Sequence, residues 1–119
     1  MEIKEGMYVR TNNGYIGKVT EIVYINDEKR YSLDSTDVYL FADEDIVGEP
    51  SEHIIDLIEP GDYVNGKKVG YVDSCTGYFR EFYYDDEDHE KEYGNWLEEI
   101  ETVVTKEQFT KCVYEVKHE

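Results

Sequence analysis

Short runs of alternating or β-branched residues, each closed by a turn-forming residue, restrict this chain to a fold built from hairpins. The runs are Met7 to Thr11, Tyr15 to Asn26, Arg30 to Asp34, Val38 to Phe41, Asp62 to Val64, Lys68 to Asp73, Tyr78 to Tyr84 and Cys112 to Val116. Their Val, Ile, Tyr and Phe residues suit a pleated, half-buried surface, so they read as strands. Between them stand Asn12-Asn13-Gly14, Asn26-Asp27-Glu28, Asn65-Gly66 and Cys75-Thr76-Gly77. Such residues tolerate the positive φ of tight turns. One short helix is expected after Thr105, where Thr105 and Gln108 stand at capping-box spacing. The stretch from Gly94 to Ile100 is compatible with helix or extended chain.

A repeat organises these runs. Glu5-Gly6-Met7-Tyr8-Val9 recurs as Pro60-Gly61-Asp62-Tyr63-Val64. Each copy is followed by a Gly-turn hairpin (Gly14 to Val19; Asn65 to Val69) and an aromatic strand (Val38 to Phe41; Phe79 to Tyr84). An acidic loop comes next (Ala42 to Glu52; Asp85 to Glu92), then an apolar strand (Ile54, Leu57, Ile58; Ile100, Val103, Val104). The expected fold class is therefore mostly β with minor α. Two related small antiparallel β units, residues 1–59 and 60–119, pack together, with one short helix near the C-terminus.

Charge sets the class of partner. The chain has 29 acidic against 12 basic residues and a formal net charge of -17, far outside the magnitude of ~2 to 8 that suits a small soluble domain. Disordered acidic chains are poor in aromatics, whereas this one carries 12 Tyr, 4 Phe and 1 Trp, so a folded core is expected. Bare nucleic acid and anionic membranes would repel such a surface, because binding phosphates requires Lys and Arg. The expected partner is a basic protein surface. No run approaches the ~18 apolar residues of a membrane span, and the opening MEIKEGMYVR lacks a signal-peptide core, which points to the cytoplasm. Cys75 and Cys112 have no CxxC spacing and read as a reduced, structural pair.

The densest charge runs from Asp85 through Asp86, Glu87, Asp88, His89, Glu90 and Lys91 to Glu92. Between Glu81 and Glu101 ten carboxylates face a single lysine, Lys91. One reading is a solvated loop that keeps the protein soluble. The other is an electronegative patch for an Arg/Lys-rich groove, since carboxylates at i and i+2 on a strand lie roughly 6.6 to 6.8 Å apart on one face, the order of phosphate spacing along a nucleic-acid strand. Tyr83, Tyr84 and Tyr93 flank this run with Trp96 nearby, and aromatics beside charge resemble a protein interface. Tyr8, Tyr63 and Tyr71 read instead as core or cross-strand packing. The candidate partner-binding residues are Glu81, Tyr83, Tyr84, Asp85, Asp86, Glu87, Asp88, Glu90, Glu92, Tyr93, Trp96, Glu98 and Glu99.

Other chemistry finds little footing. Neither Asp43-Glu44-Asp45 nor Asp85 to Glu90 fits an EF-hand loop, and His53, His89 and His118 lack zinc-site spacing. No nucleophile or phosphate-binding motif is present, so neither an enzyme nor a bound metal or cofactor is expected.

The opening EGMYVRTNNGYIGKVTEI resembles KOW-type and SH3-like barrel openings, in which a Gly-led strand, a Gly turn and a "GKV" return strand build the first hairpin. That resemblance implies fold more than activity, because the RNA-binding faces of such modules are basic and here only Arg10 and Lys18 are cationic in the hairpin. More widely, IKEGMYVRTNNGYIGKV, HIIDLIEPGDYVNGKKV and VVTKEQFTKCVYEV are similar to small uncharacterised proteins of Firmicute phages and prophages. No catalytic residues come with this resemblance. What it implies is a viral protein, a phage-encoded inhibitor of host machinery of the anti-CRISPR or DNA-mimic kind. The expectation is an acidic decoy occupying the nucleic-acid-binding groove of a host defence protein such as a CRISPR nuclease. The alternative is a structural or adaptor β module of the phage.

Overall fold

The computed structural model describes residues 2–75, 79–85, 95 and 100–112. Nine strands and one helix are defined among them: β1 Tyr8–Thr11, β2 Ile16–Ile25, β3 Glu28–Leu33, β4 Thr36–Phe41, β5 Ile46–Ser51, β6 Tyr63–Val64, β7 Lys67–Cys75, β8 Phe79–Tyr84, β9 Val103–Val104 and α1 Lys106–Cys112. They form two antiparallel sheets, one of order β4-β3-β2-β1-β5 and one of order β8-β7-β6-β9. The molecule is mostly β with one short helix near its C-terminal end.

Turn chemistry explains the hairpins. Asn26 and Asp27, at φ 52° and 66°, connect β2 to β3, and Asn65 and Gly66, at 53° and 83°, connect β6 to β7. Two successive positive φ values give the mirror-image turn whose twist matches that of paired strands. Gly14, at φ 89°, meets a tighter constraint, because a Cβ there would lie 2.7 Å from both Glu107 Cβ and Thr105 Oγ1. The first hairpin can therefore seat α1 only with glycine at this position.

The repeat is visible in the backbone. Gly6 N–H donates to Val19 C=O at 2.8 Å and Val19 N–H donates to Met7 C=O at 2.8 Å. In the second sheet Gly61 N–H donates to Val69 C=O and Val69 N–H to Asp62 C=O, both at 2.7 Å. Both glycines have positive φ, 91° and 98°. The correspondence extends into the cores. Ile3, Val9, Val19 and Tyr31 belong to the first apolar cluster with Leu33 and Phe41, while Ile58, Val64, Val69 and Phe82 occupy matching places in the second, beside Ile55. Each copy also bulges just after its central valine, between Val19 and Glu21 and between Val69 and Tyr71.

Where the copies differ, they dock. Met7 in the first copy is replaced by Asp62 in the second, and Asp62 is fully buried. Its Oδ1 accepts from Arg10 Nη2 at 2.8 Å and from Lys106 N–H at 2.9 Å. Its Oδ2 accepts from Arg10 Nη1 at 2.5 Å and from Glu59 N–H at 2.8 Å. Arg10, on β1 and only 2 % exposed, also donates to Leu57 C=O at 3.0 Å and to Glu107 at 2.8 Å, and its Nε lies 3.0 Å from Glu59. Burial works to lower the guanidinium pKa, but the hydrogen bond and charge of Asp62, followed by the charges of Glu59 and Glu107, outweigh it and raise the pKa. One arginine thus joins β1, the chain entering β6, and α1.

Some expectations need correction. The stretch Ala42 to Glu52 is not an acidic loop: a 3-10 turn at Asp43–Asp45 is followed by β5. Central strand β1 must satisfy its backbone on both sides, and β5 supplies the second side through Tyr8↔Ser51, Arg10↔Val47 and Thr11↔Ile46. The expected strand through Ile54, Leu57 and Ile58 is a 3-10 turn at Ile54–Leu57. Its apolar residues at 54, 55, 57 and 58 follow a helical spacing, not alternation. Cys112 ends α1 instead of opening a strand and is a free, exposed thiol, while residues 113–116 lie outside the described residues. The capping box at Thr105 is only half formed. Thr105 Oγ1 accepts Gln108 N–H at 3.2 Å, but the Gln108 side chain donates to Asn13 C=O at 2.7 Å, and Thr105 donates to Gly14 C=O at 2.5 Å. Tertiary partners in the first hairpin outcompete the local cap.

Tyr31 gives the first core a pH response. Its hydroxyl donates to Asp43 at 2.5 Å, and burial, then the hydrogen bond to Asp43 and its charge, push its pKa up to about 12. Folding favours the neutral phenol, so this contribution to stability is complete below the ordinary tyrosine value near ~10 and is lost as pH rises through about 12. Urea unfolding at mildly and strongly alkaline pH should show this loss, and Tyr31→Phe should remove that part of it.

Candidate partner-binding surface

Strand β8 carries the described part of the expected site. Its inner face bears Phe82, fully buried, and Tyr84, half-buried against the second core and edge-on to Phe82 at 5.5 Å. The Lys67 ammonium sits 5.4 Å above the Tyr84 ring. Register places Tyr71 opposite Tyr83 and Asp73 opposite Glu81, so alternation puts these four on the face of the β7–β8 hairpin opposite Phe82, where Tyr71 is exposed and Tyr83 is covered. The two tyrosine rings lie 5.7 Å apart, tilted by 48°. Tyr83 donates its hydroxyl to Glu81 at 3.2 Å. An aromatic rung and an acidic rung are therefore adjacent on one face.

This geometry redistributes the aromatic roles. Tyr71, expected in the core, is 41 % exposed, whereas Tyr83 retains only 4 % and Tyr84 packs inward. The bulge between Val69 and Tyr71 explains Tyr71, because the inserted Gly70 turns the following side chains of β7 to the opposite face, while β8 alternates without interruption. Of the remaining candidates, Asp85 is exposed at the end of β8 with its carboxylate 3.8 Å from Lys68, a loose surface pair of little energetic weight. Asp86, Glu87, Asp88, Glu90, Glu92, Tyr93, Trp96, Glu98 and Glu99 lie outside the described residues. Asn95 pairs with Phe82 through Phe82 N–H to Asn95 C=O at 3.1 Å and Asn95 N–H to Phe82 C=O at 2.8 Å. The chain after the acidic run thus returns to the β8 edge at this point.

A second acidic tract extends well beyond the Ala42 to Glu52 stretch. From Tyr31 to Gly66 there are ten Asp and Glu residues and no Lys or Arg. The signal was the absence of cations over a long stretch, which a search for dense acidic runs does not register. This tract supplies both edge strands of the first sheet, β4 and β5, and β4 exposes Val38, Tyr39 and Leu40.

No protein-family model, curated protein or solved structure matches the chain. Among the described residues, no helix is long and apolar enough to cross a membrane. No group of three or more His, Cys, Asp or Glu side chains among them is placed to hold a metal ion.

Proposed function

We propose that this chain is a non-catalytic, acidic binding protein that occupies the basic, nucleic-acid-binding groove of a partner protein, in the manner of a nucleic-acid mimic. The reading extends to a phage-encoded inhibitor acting in the bacterial cytoplasm on a host defence protein such as a CRISPR nuclease. The observation that carries it is the face of β7–β8 opposite Phe82, where the Asp73–Glu81 rung stands beside the Tyr71–Tyr83 rung and the strand leads into the Asp85 to Glu92 run. An Arg/Lys-lined groove would attract the carboxylates of this face, and the exposed Tyr71 ring offers an apolar anchor for desolvated contact.

A second reading, a structural or adaptor module, is favoured by a different observation: the apolar exposure of β4, with Val38 at 75 %. Asp73→Asn with Glu81→Gln separates the two. Mimicry predicts binding to the basic partner that weakens by about tenfold or more in the double variant and falls steeply with salt. Assembly through β4 predicts binding that neither change alters.

A further inference from the structure

The least protected edge of the first sheet is β4. One side of β4 pairs with β3, and among the described residues no strand pairs with the other. The pairing is itself partial. Leu40 stands opposite Ser32 and Thr36 opposite Leu33, so Asp37, Val38 and Tyr39 are looped past a single step of β3. As a result consecutive side chains are exposed, Val38 at 75 %, Tyr39 at 52 % and Leu40 at 45 %, where an edge strand over a core would alternate. Tyr39 is held upright by Tyr15 at 5.6 Å and Phe41 at 6.5 Å. Edge strands are commonly protected by lysine, proline, brevity or a bulge; β4 has six residues, no lysine and no proline, and its bulge at Asp37 to Tyr39 leaves apolar side chains exposed side by side.

Charge identifies the occupant. Asp37 lies on β4 itself, and Asp34, Asp43, Glu44 and Asp45 lie within four residues of its ends, with no Lys or Arg from Tyr31 to Asp45. A second copy of the chain would bring another formal charge of -17 to the same edge, which like-charge repulsion opposes. We propose that the β4 edge is a docking site for an extended, Lys- or Arg-bearing peptide segment of a protein partner, which adds as a further strand. Main-chain hydrogen bonds to β4 supply affinity and alternate side chains supply specificity. The segment's apolar residues cover Val38, Tyr39 and Leu40, and its cations lie beside the surrounding carboxylates. This surface is separate from the β7–β8 face, and the inference does not depend on nucleic-acid mimicry.

The test uses two fluorescent peptides of equal length and charge, one alternating lysine with valine and the other alternating lysine with serine. The lysine–valine peptide is expected to bind about tenfold or more tightly and to slow amide hydrogen exchange across Thr36 to Phe41. Val38→Lys with Leu40→Lys should reduce its affinity by about tenfold or more with an unchanged melting temperature, because both side chains are already exposed. Asp73→Asn with Glu81→Gln should leave it unaltered, which separates this site from the β7–β8 face. Equal binding of the two peptides, exchange protection at β7–β8 in place of β4, or undiminished binding to the lysine variant would overturn the proposal. So would sedimentation showing a dimer that the lysine variant abolishes, which would assign the edge to a second copy.

Discussion

Replacing Arg10 by methionine is expected to destabilise the fold by about 3–5 kcal/mol, the cost of stranding a buried carboxylate. Asp62 would keep only the backbone N–H groups of Glu59 and Lys106 as donors. It would also face Glu59 and Glu107, which now converge on the same guanidinium. Domains of this kind hold together by only ~5–15 kcal/mol in total, so one substitution would remove a large share of that margin. Urea unfolding should show a lower midpoint. Because Met7 fills in the first copy the place that Asp62 fills in the second, Arg10→Met combined with Asp62→Met should regain part of the loss, the rest staying with the Glu59 and Lys106 N–H groups that lose their acceptor. Replacing a whole buried pair with apolar residues is often near neutral. A double variant no more stable than Arg10→Met alone would show that Asp62 does more than balance Arg10.

Neutralising the acidic run should have the largest effect on binding. With Asp85, Asp86 and Asp88 changed to Asn and Glu87 to Gln, association with a basic groove should slow by ~10-fold or more, since electrostatic steering raises such rates by ~10 to 1,000-fold. Most of the difference should disappear in high salt, where exposed charges are screened within a few ångströms. Stopped-flow association at low and high ionic strength checks both statements. An unchanged rate at low salt would mean that the run is only a solubilising loop.

The hairpins were legible because their turns carry their own chemistry: Asn26-Asp27 and Asn65-Gly66 adopt the positive φ values their types allow. The repeat was legible because Gly6 and Gly61 both mark a left-handed step before a Tyr-Val strand. Strand β5 was not, since Asp43 to Ser51 contains four acids, a glycine and a proline. The backbone need of β1 recruits that segment, and no local preference announces it. The facing of the tyrosines was also hidden. The bulge at Val69/Tyr71, marked in the sequence only by Gly70, exposes Tyr71, while uninterrupted alternation along β8 turns Tyr84 inward. The Arg10–Asp62 pair joins residues distant in the chain, and only the difference between Met7 and Asp62 within the repeat hinted at it. Of the site, the acidic and aromatic composition of β8 was readable, but the division of its side chains between two faces needed the register.

The central claim, that this acidic chain takes the place of nucleic acid on a basic partner, is tested most directly by competition. The tagged protein is used to capture partners from a bacterial lysate at low salt, and duplex DNA or RNA is then added to the immobilised complex. The account predicts that a basic nucleic-acid-binding protein is released by nucleic acid and by salt, and that the variant neutralised at Asp85, Asp86, Glu87 and Asp88 fails to retain it. A partner that stays bound while it takes up nucleic acid, and that resists high salt, would contradict the account.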